Sequence, residues 1–149
     1  MADEAGSVVL ATWHDWVSAH WSFDALYAKS SDDGAFWRAS GALAAAASFD
    51  ETYPVVARDG QGNAHFVYSL GRGDIDTLLF HRALLGIRTP SEYWSDPCQM
   101  TLPQGGTSLA RQLLPSAATR WEGNWLNVVW QDSWGSSSGW PDIYFMRVF

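Results

Sequence analysis

Two stretches of the chain set a carboxylate between indoles. Trp13-His14-Asp15-Trp16 runs on to Trp21, and Trp130-Gln131-Asp132-Ser133-Trp134 runs on to Trp140. An indole can stack on the apolar face of a sugar ring while a neighbouring carboxylate accepts hydrogen bonds from its hydroxyls, so this pattern suits carbohydrate binding. It suits packing as well. Trp13 and Trp130 close apolar runs and can bury between sheets, leaving the Asp residues to cap loops. Asp15, Trp16, Trp21, Asp132 and Trp134 are the binding candidates that this pattern offers. Paired carboxylates for glycoside hydrolysis could be drawn from Asp15, Asp50, Glu51 and Asp132, but that chemistry needs two carboxyl groups at a set distance in space. Spacing along the chain assigns no catalytic residue.

Composition narrows the classes. A chain of 149 residues with 47% hydrophobic residues is of single-domain size and can bury a core. Ten Trp, seven Phe and five Tyr are typical of sheets whose faces interlock through aromatics. A formal charge of −7 without a basic run argues against a nucleic-acid partner. The single Cys98 has no internal disulfide partner, and no Cys/His spacing resembles a metal site. His14, His20, His65 and His81 stand singly and read as surface or satisfied sheet histidines. No cofactor motif is present. The apolar run from Val8 to Thr12 is too short for a signal-peptide core, and no stretch reaches the ~20 apolar residues of a spanning helix, so neither export nor a membrane is indicated. Cellular location is left open.

The elements that would hold these residues are strands. Val8 to Trp13 and Asp24 to Lys29 form one pair, Ala64 to Tyr68 and Asp76 to His81 a second, and Leu126 to Trp130 and Asp142 to Arg147 a third. An aromatic closes the first strand of each pair and an Asp opens the second, which marks an imperfect threefold repeat. The second and third copies carry an earlier strand, Tyr53 to Arg58 and Leu114 to Thr119, each followed by a Gly- and Asn-containing turn. Outer strands are expected at Phe36 to Ala39 and Glu92 to Trp94, with Ala42 to Ala47 as linker. The repeats span about 7–48, 52–98 and 108–149.

The segment Ser30-Ser31-Asp32-Asp33-Gly34-Ala35-Phe36-Trp37 reads as a tight turn. Gly34 supplies a positive φ, Ser30 and Asp32 accept backbone N–H bonds, and Trp37 re-enters the sheet as an apolar anchor. The spacing Ser-x-Asp-x-Gly-x-x-Trp resembles the Asp box of the sialidase (BNR-repeat) superfamily, with Phe36 where that family usually has Thr. A carboxylate followed two residues later by a glycine is common turn chemistry, whereas a calcium loop needs six to eight oxygens in a longer pattern, so Ser30, Asp32, Gly34 and Trp37 are expected to build the turn and to bind no calcium. The resemblance implies an all-β fold of β-propeller blades, about three four-stranded antiparallel blades, or half of a six-bladed ring. It also implies that the end away from the Asp box, with the connections between blades, carries the ligand, which adds Arg72, Arg111, Asp50 and Glu51 to the binding candidates, while Lys29, Arg82 and Arg147 lie towards the Asp box. The arginine-bearing motif that opens sialidase catalytic domains is absent. Three functions follow as expectations: a non-catalytic carbohydrate-binding or scaffolding unit, part of an exo-acting sialidase-like glycoside hydrolase, or a structural fragment. Because three blades are too few to close, self-association into a homodimer is expected to complete the ring.

Overall fold

The computed structural model of the chain describes residues 8–38, 40–59, 63–72, 75–84, 93–95, 97–100, 112–119, 125–132 and 142–148. Every regular element among them is a strand: β1 Val9–Val17, β2 Ser22–Ser30, β3 Gly41–Ala44, β4 Asp50–Arg58, β5 Ala64–Arg72, β6 Ile75–Leu84, β7 Tyr93–Trp94, β8 Cys98–Gln99, β9 Gln112–Thr119, β10 Leu126–Asp132 and β11 Asp142–Val148. The fold is all-β. The strands form three antiparallel sheets in chain order: β1-β2-β3, then β4-β5-β6 with both β7 and β8 on the outer edge of β6, then β9-β10-β11.

The sheets stack in the order of the sequence. Leu10, Ala25 and Leu43 of the first sheet pack on Ala64 and Phe66 of the second. On the opposite face of the second sheet, Ala57 and Val67 pack on Leu126, Val128 and Trp130 of the third. Neighbouring residues point to opposite sides of a sheet, so Phe66 serves one interface and Val67 the other. Burial follows position in the stack. Asn63 to Ser69 are buried without a break, as in a strand covered on both faces, whereas β10 alternates between buried and more exposed positions, as in a strand covered on one.

Two strands share a detail that the sequence repeat implies. In β4 the register slips so that Tyr53 and Pro54 stand opposite Tyr68, and in β9 Leu114 and Pro115 stand opposite Trp130. Tyr53 and Leu114 both have positive φ, 52° and 51°. Pro has no ladder N–H to lose, so an X-Pro bulge is where a strand tolerates it. The Pro54 carbonyl instead accepts the Thr12 hydroxyl, 3.1 Å away in the first sheet.

The Asp-box turn forms as its residue types require. Gly34 has φ +87° and donates its N–H to Ser30 Oγ at 2.8 Å; Ser30 Oγ donates to Asp32 Oδ1 at 2.8 Å, which also accepts Phe36 N–H at 2.8 Å. The Phe36 N–H first, and then the Ser30 hydroxyl, hold the Asp32 carboxyl below its ordinary range. Two expectations around it need correction. Trp37 makes only a bridge to Ser30 and remains 40% exposed, so it is no buried anchor. The outer strand is not Phe36 to Ala39 but Gly41–Ala44, taken from the stretch expected to be linker. It pairs with β2 only from Tyr27 towards Ala25, beyond the level of Trp37. Small residues there fit because Tyr27 lies over Gly41.

Candidate functional site

The hairpin registers assign every strand end to one of two ends of the stack. Val9 pairs with Ser30, Arg58 with Ala64 and Leu126 with Thr119 and Val148, which gathers the Asp-box turn and the β4–β5 turn at one end. Lys29, Arg82 and Arg147 pair towards that end. The other end carries Trp16, Trp21, Asp50, Glu51 and Arg72.

At this second end the strands run further than the sequence pattern indicates. Asp15 and Trp16 lie within β1, not in a loop, because the β1–β2 connection is a short turn, Ser18 to Trp21, closed by the Trp21 and His20 N–H groups on the Val17 carbonyl at 3.0 Å. As adjacent strand residues, Asp15 and Trp16 point to opposite faces and cannot flank one ligand. Asp15 stays exposed and caps the Trp16 N–H at 2.8 Å. Trp21 takes φ +56° in the turn and is 80% exposed. Asp132 ends β10 and is buried, since it shares the inward face with Trp130. Arg72 ends β5. Arg111 and Trp134 lie outside the described residues.

What the end does assemble is an aromatic strip that crosses between sheets. Trp16 meets Phe23 edge-on at 5.4 Å, Phe23 meets His14 at 5.6 Å, and His14 meets Tyr53 of the second sheet at 5.4 Å. Trp16, Phe23 and Tyr53 are all exposed. Two hydrogen bonds bind the sheets beneath them: Tyr53 N–H donates to His14 Nδ1 at 3.3 Å, and Phe23 N–H donates to Asp50 Oδ1 at 3.0 Å. Phe23 and Tyr53 carried no sequence signal as site residues, because their proximity depends on how the first two sheets stack.

Beside the strip lies a buried acidic group. Glu51 is 1% exposed, accepts Ala46 N–H at 3.1 Å through Oε1, and has no partner for Oε2 among the described residues. Burial first, with the nearby Asp24 and Asp50 carboxylates adding, pushes its carboxyl up to about 7. Asp24 is also buried and pairs with His20 Nδ1 at 2.7 Å. The Tyr68 hydroxyl is pushed well above its ordinary range by burial and by Glu51.

The opposite end holds a second buried set, in which the Asp59 carboxylate accepts Asn63 N–H and Asn63 Nδ2 at 2.9 Å each and lies 2.9 Å from His65 Nε2. It closes the β4–β5 turn as a structural knot. Next to it the Thr119 hydroxyl donates to the Arg58 carbonyl, which ties the third sheet to the second. Among the described residues, no group of three or more His, Cys, Asp or Glu side chains is placed to hold a metal ion. No protein-family model matches the chain, and a search of curated proteins finds no match.

Proposed function

We propose that the chain is a sialidase-like propeller unit of three blades that binds carbohydrate without catalysis, through the strip Trp16, Phe23 and Tyr53. The exposed aromatic surface assembled from two sheets carries this reading: three rings at one end, with the Asp50 carboxylate fixed among them. Such a surface offers apolar area for a sugar face and an acceptor for its hydroxyls. Support for the propeller comes from the Asp-box hydrogen bonds, the stacking of sheets in chain order, and the paired X-Pro bulges of β4 and β9.

The hydrolase alternative has one observation in its favour. Glu51 and Asp24 are neighbouring carboxylates in unequal surroundings, which is how acid and base roles are separated in glycosidases. Both are closed off from solvent, however, at 1% and 2% exposure, and a carboxyl group that cannot touch the glycosidic oxygen cannot protonate it. The binding reading is preferred on that ground.

A glycan array probed with the wild-type chain and with Trp16→Ala and Phe23→Ala is the test. Binding that drops at least tenfold in both variants and survives Phe36→Ala, an exposed ring at the Asp-box end, is the expected result. Absence of any bound glycan, or equal loss in all three variants, would remove the reading. Release of fluorophore from a sialoside substrate, abolished in Glu51→Gln, would favour the hydrolase instead.

A further inference from the structure

We propose that the outward face of the third sheet docks against the outward face of the first sheet in a second copy of the chain, so that two chains close head to tail. The inference rests on packing and is independent of the carbohydrate reading.

The outward face of the third sheet carries an apolar patch, flanked by the polar Asn127, Gln131, Ser116 and Arg147. Ile143 is 76% exposed, Phe145 60% and Val129 38%. Val129 pairs with Phe145, and Ala118 of β9 lies beside them on the same side. At the other end of the stack, the face of the first sheet turned away from the second carries the half-buried Val9, Ala11 and Trp13 on β1, opposite Ser30, Ala28 and Leu26 on β2, with the Asp15–Asp24 pair beyond Trp13. Each of these two outward faces therefore carries an apolar patch.

The internal repeat shows that these faces are of matching kinds. Trp13, Tyr68 and Trp130 occupy one repeat position, and Tyr68 and Trp130 each face the preceding sheet: Tyr68 shares its side with Phe66 and Ala64, and Trp130 with Val128 and Leu126. Trp13 faces the same way, away from the second sheet, and among the described residues no sheet lies on that side. By the same register Val129 corresponds to Val67, which packs on the next sheet, and Phe145 corresponds to Tyr27, whose ring meets Phe66 edge-on at 6.3 Å. The residue corresponding to Phe66 in the first sheet is Ala11. Phe145 of one chain would thus lie over Ala11 of the other, a large ring over a small residue, as Tyr27 lies over Phe66 within the chain.

Area favours a closed pair over a single contact. Three strands of about seven residues, ~4.8 Å apart and rising ~3.4 Å per residue, give a face of roughly 340 Å². One contact covers two faces, about 700 Å² in total, the size of a crystal contact; a closed pair covers four, about 1,400 Å², the size of a stable interface. A head-to-tail contact must close in this way or grow into an open filament.

Light scattering coupled to size exclusion should give one species at twice the 16.5 kDa chain mass. Phe145→Lys and, separately, Ala11→Glu should each shift it to the monomer with an unchanged far-ultraviolet circular dichroism spectrum. Mixing these two variants should restore a dimer, because one intact third-sheet face and one intact first-sheet face remain and the second contact sets Lys against Glu. Should either variant unfold, Ile143→Lys serves for the third sheet and Val9→Glu for the first. A wild-type monomer at all concentrations, open-ended growth, a dimer that persists in the variants, or no recovery on mixing would each overturn the proposal.

Discussion

The Tyr27 ring occupies the space that a side chain at position 41 would fill: a Cβ on Gly41 would stand 2.8 Å from Tyr27 Cε1 and 3.2 Å from Cζ. Tyr27 and Gly41 are cross-strand partners, so the ring covers the backbone of a short outer strand and fixes its register. Tyr27 is also packed against the core between the first two sheets, which leaves its ring little freedom to retreat.

Gly41→Ala is accordingly expected to destabilise the protein by about 1–3 kcal/mol through overpacking, read as a lower urea midpoint with an unchanged slope. The same substitution in a Tyr27→Ala background should cost much less. Additive effects would show that the ring and the glycine are not coupled.

The Asp-box turn should respond to both geometry and acid. Gly34→Ala places a side chain at φ +87° and should cost about 1 kcal/mol. The Asp32 carboxyl titrates below its ordinary 3.8 because the Phe36 N–H, and then the Ser30 hydroxyl, bind its charged form. Its contribution is present above that ordinary value and is lost as pH falls through the lower folded value. Asp32→Asn should therefore lower the melting temperature at neutral pH by more than it does in strong acid. An equal drop at both would sever the turn's stability from the carboxylate.

Glu51 should act in the opposite direction. Unfolded, its carboxyl titrates near the ordinary 4.5; folded, at about 7. Between these values the folded state keeps a proton that the unfolded state has released, so stability from this group is full below about 4.5 and declines as pH rises to about 7. The loss is on the order of 3 kcal/mol. Glu51→Gln should be the more stable protein at about pH 8 and should flatten the slope of denaturation midpoint against pH. A wild-type slope retained in the variant would place the titration elsewhere.

The strand content was legible because it rests on local chemistry. Gly34, Ser30 and Asp32 could be assigned to a turn from their types alone, and the aromatic-closed runs at Tyr68 and Trp130 marked strands that the structure contains. Strand ends were not legible. Asp15, Trp16 and Asp132 are polar or bulky enough to suit a loop, yet pairing with Asp24, Phe23 and Asp142 extends the ladder through them. Gly41–Ala44 has weak strand propensity and is held by its partner across β2, which is information about tertiary structure. The aromatic strip was half visible. Trp16 could be named, but Phe23 and Tyr53 join it only because β1 and β4 come together, through bonds such as that from Thr12 to Pro54.

The order of the sheets has a consequence for how the chain comes to be folded. Each layer in the stack lies against layers adjacent in sequence, so a contact between sheets joins residues such as Thr12 and Pro54 or Arg58 and Thr119, 42 and 61 positions apart, and not the first sheet with the third. The first hairpin can form, and the second sheet settle on it, before the residues of the third have left the ribosome. As in repeat arrays governed by nearest-neighbour terms, a layer once formed offers its face to the layer next in sequence.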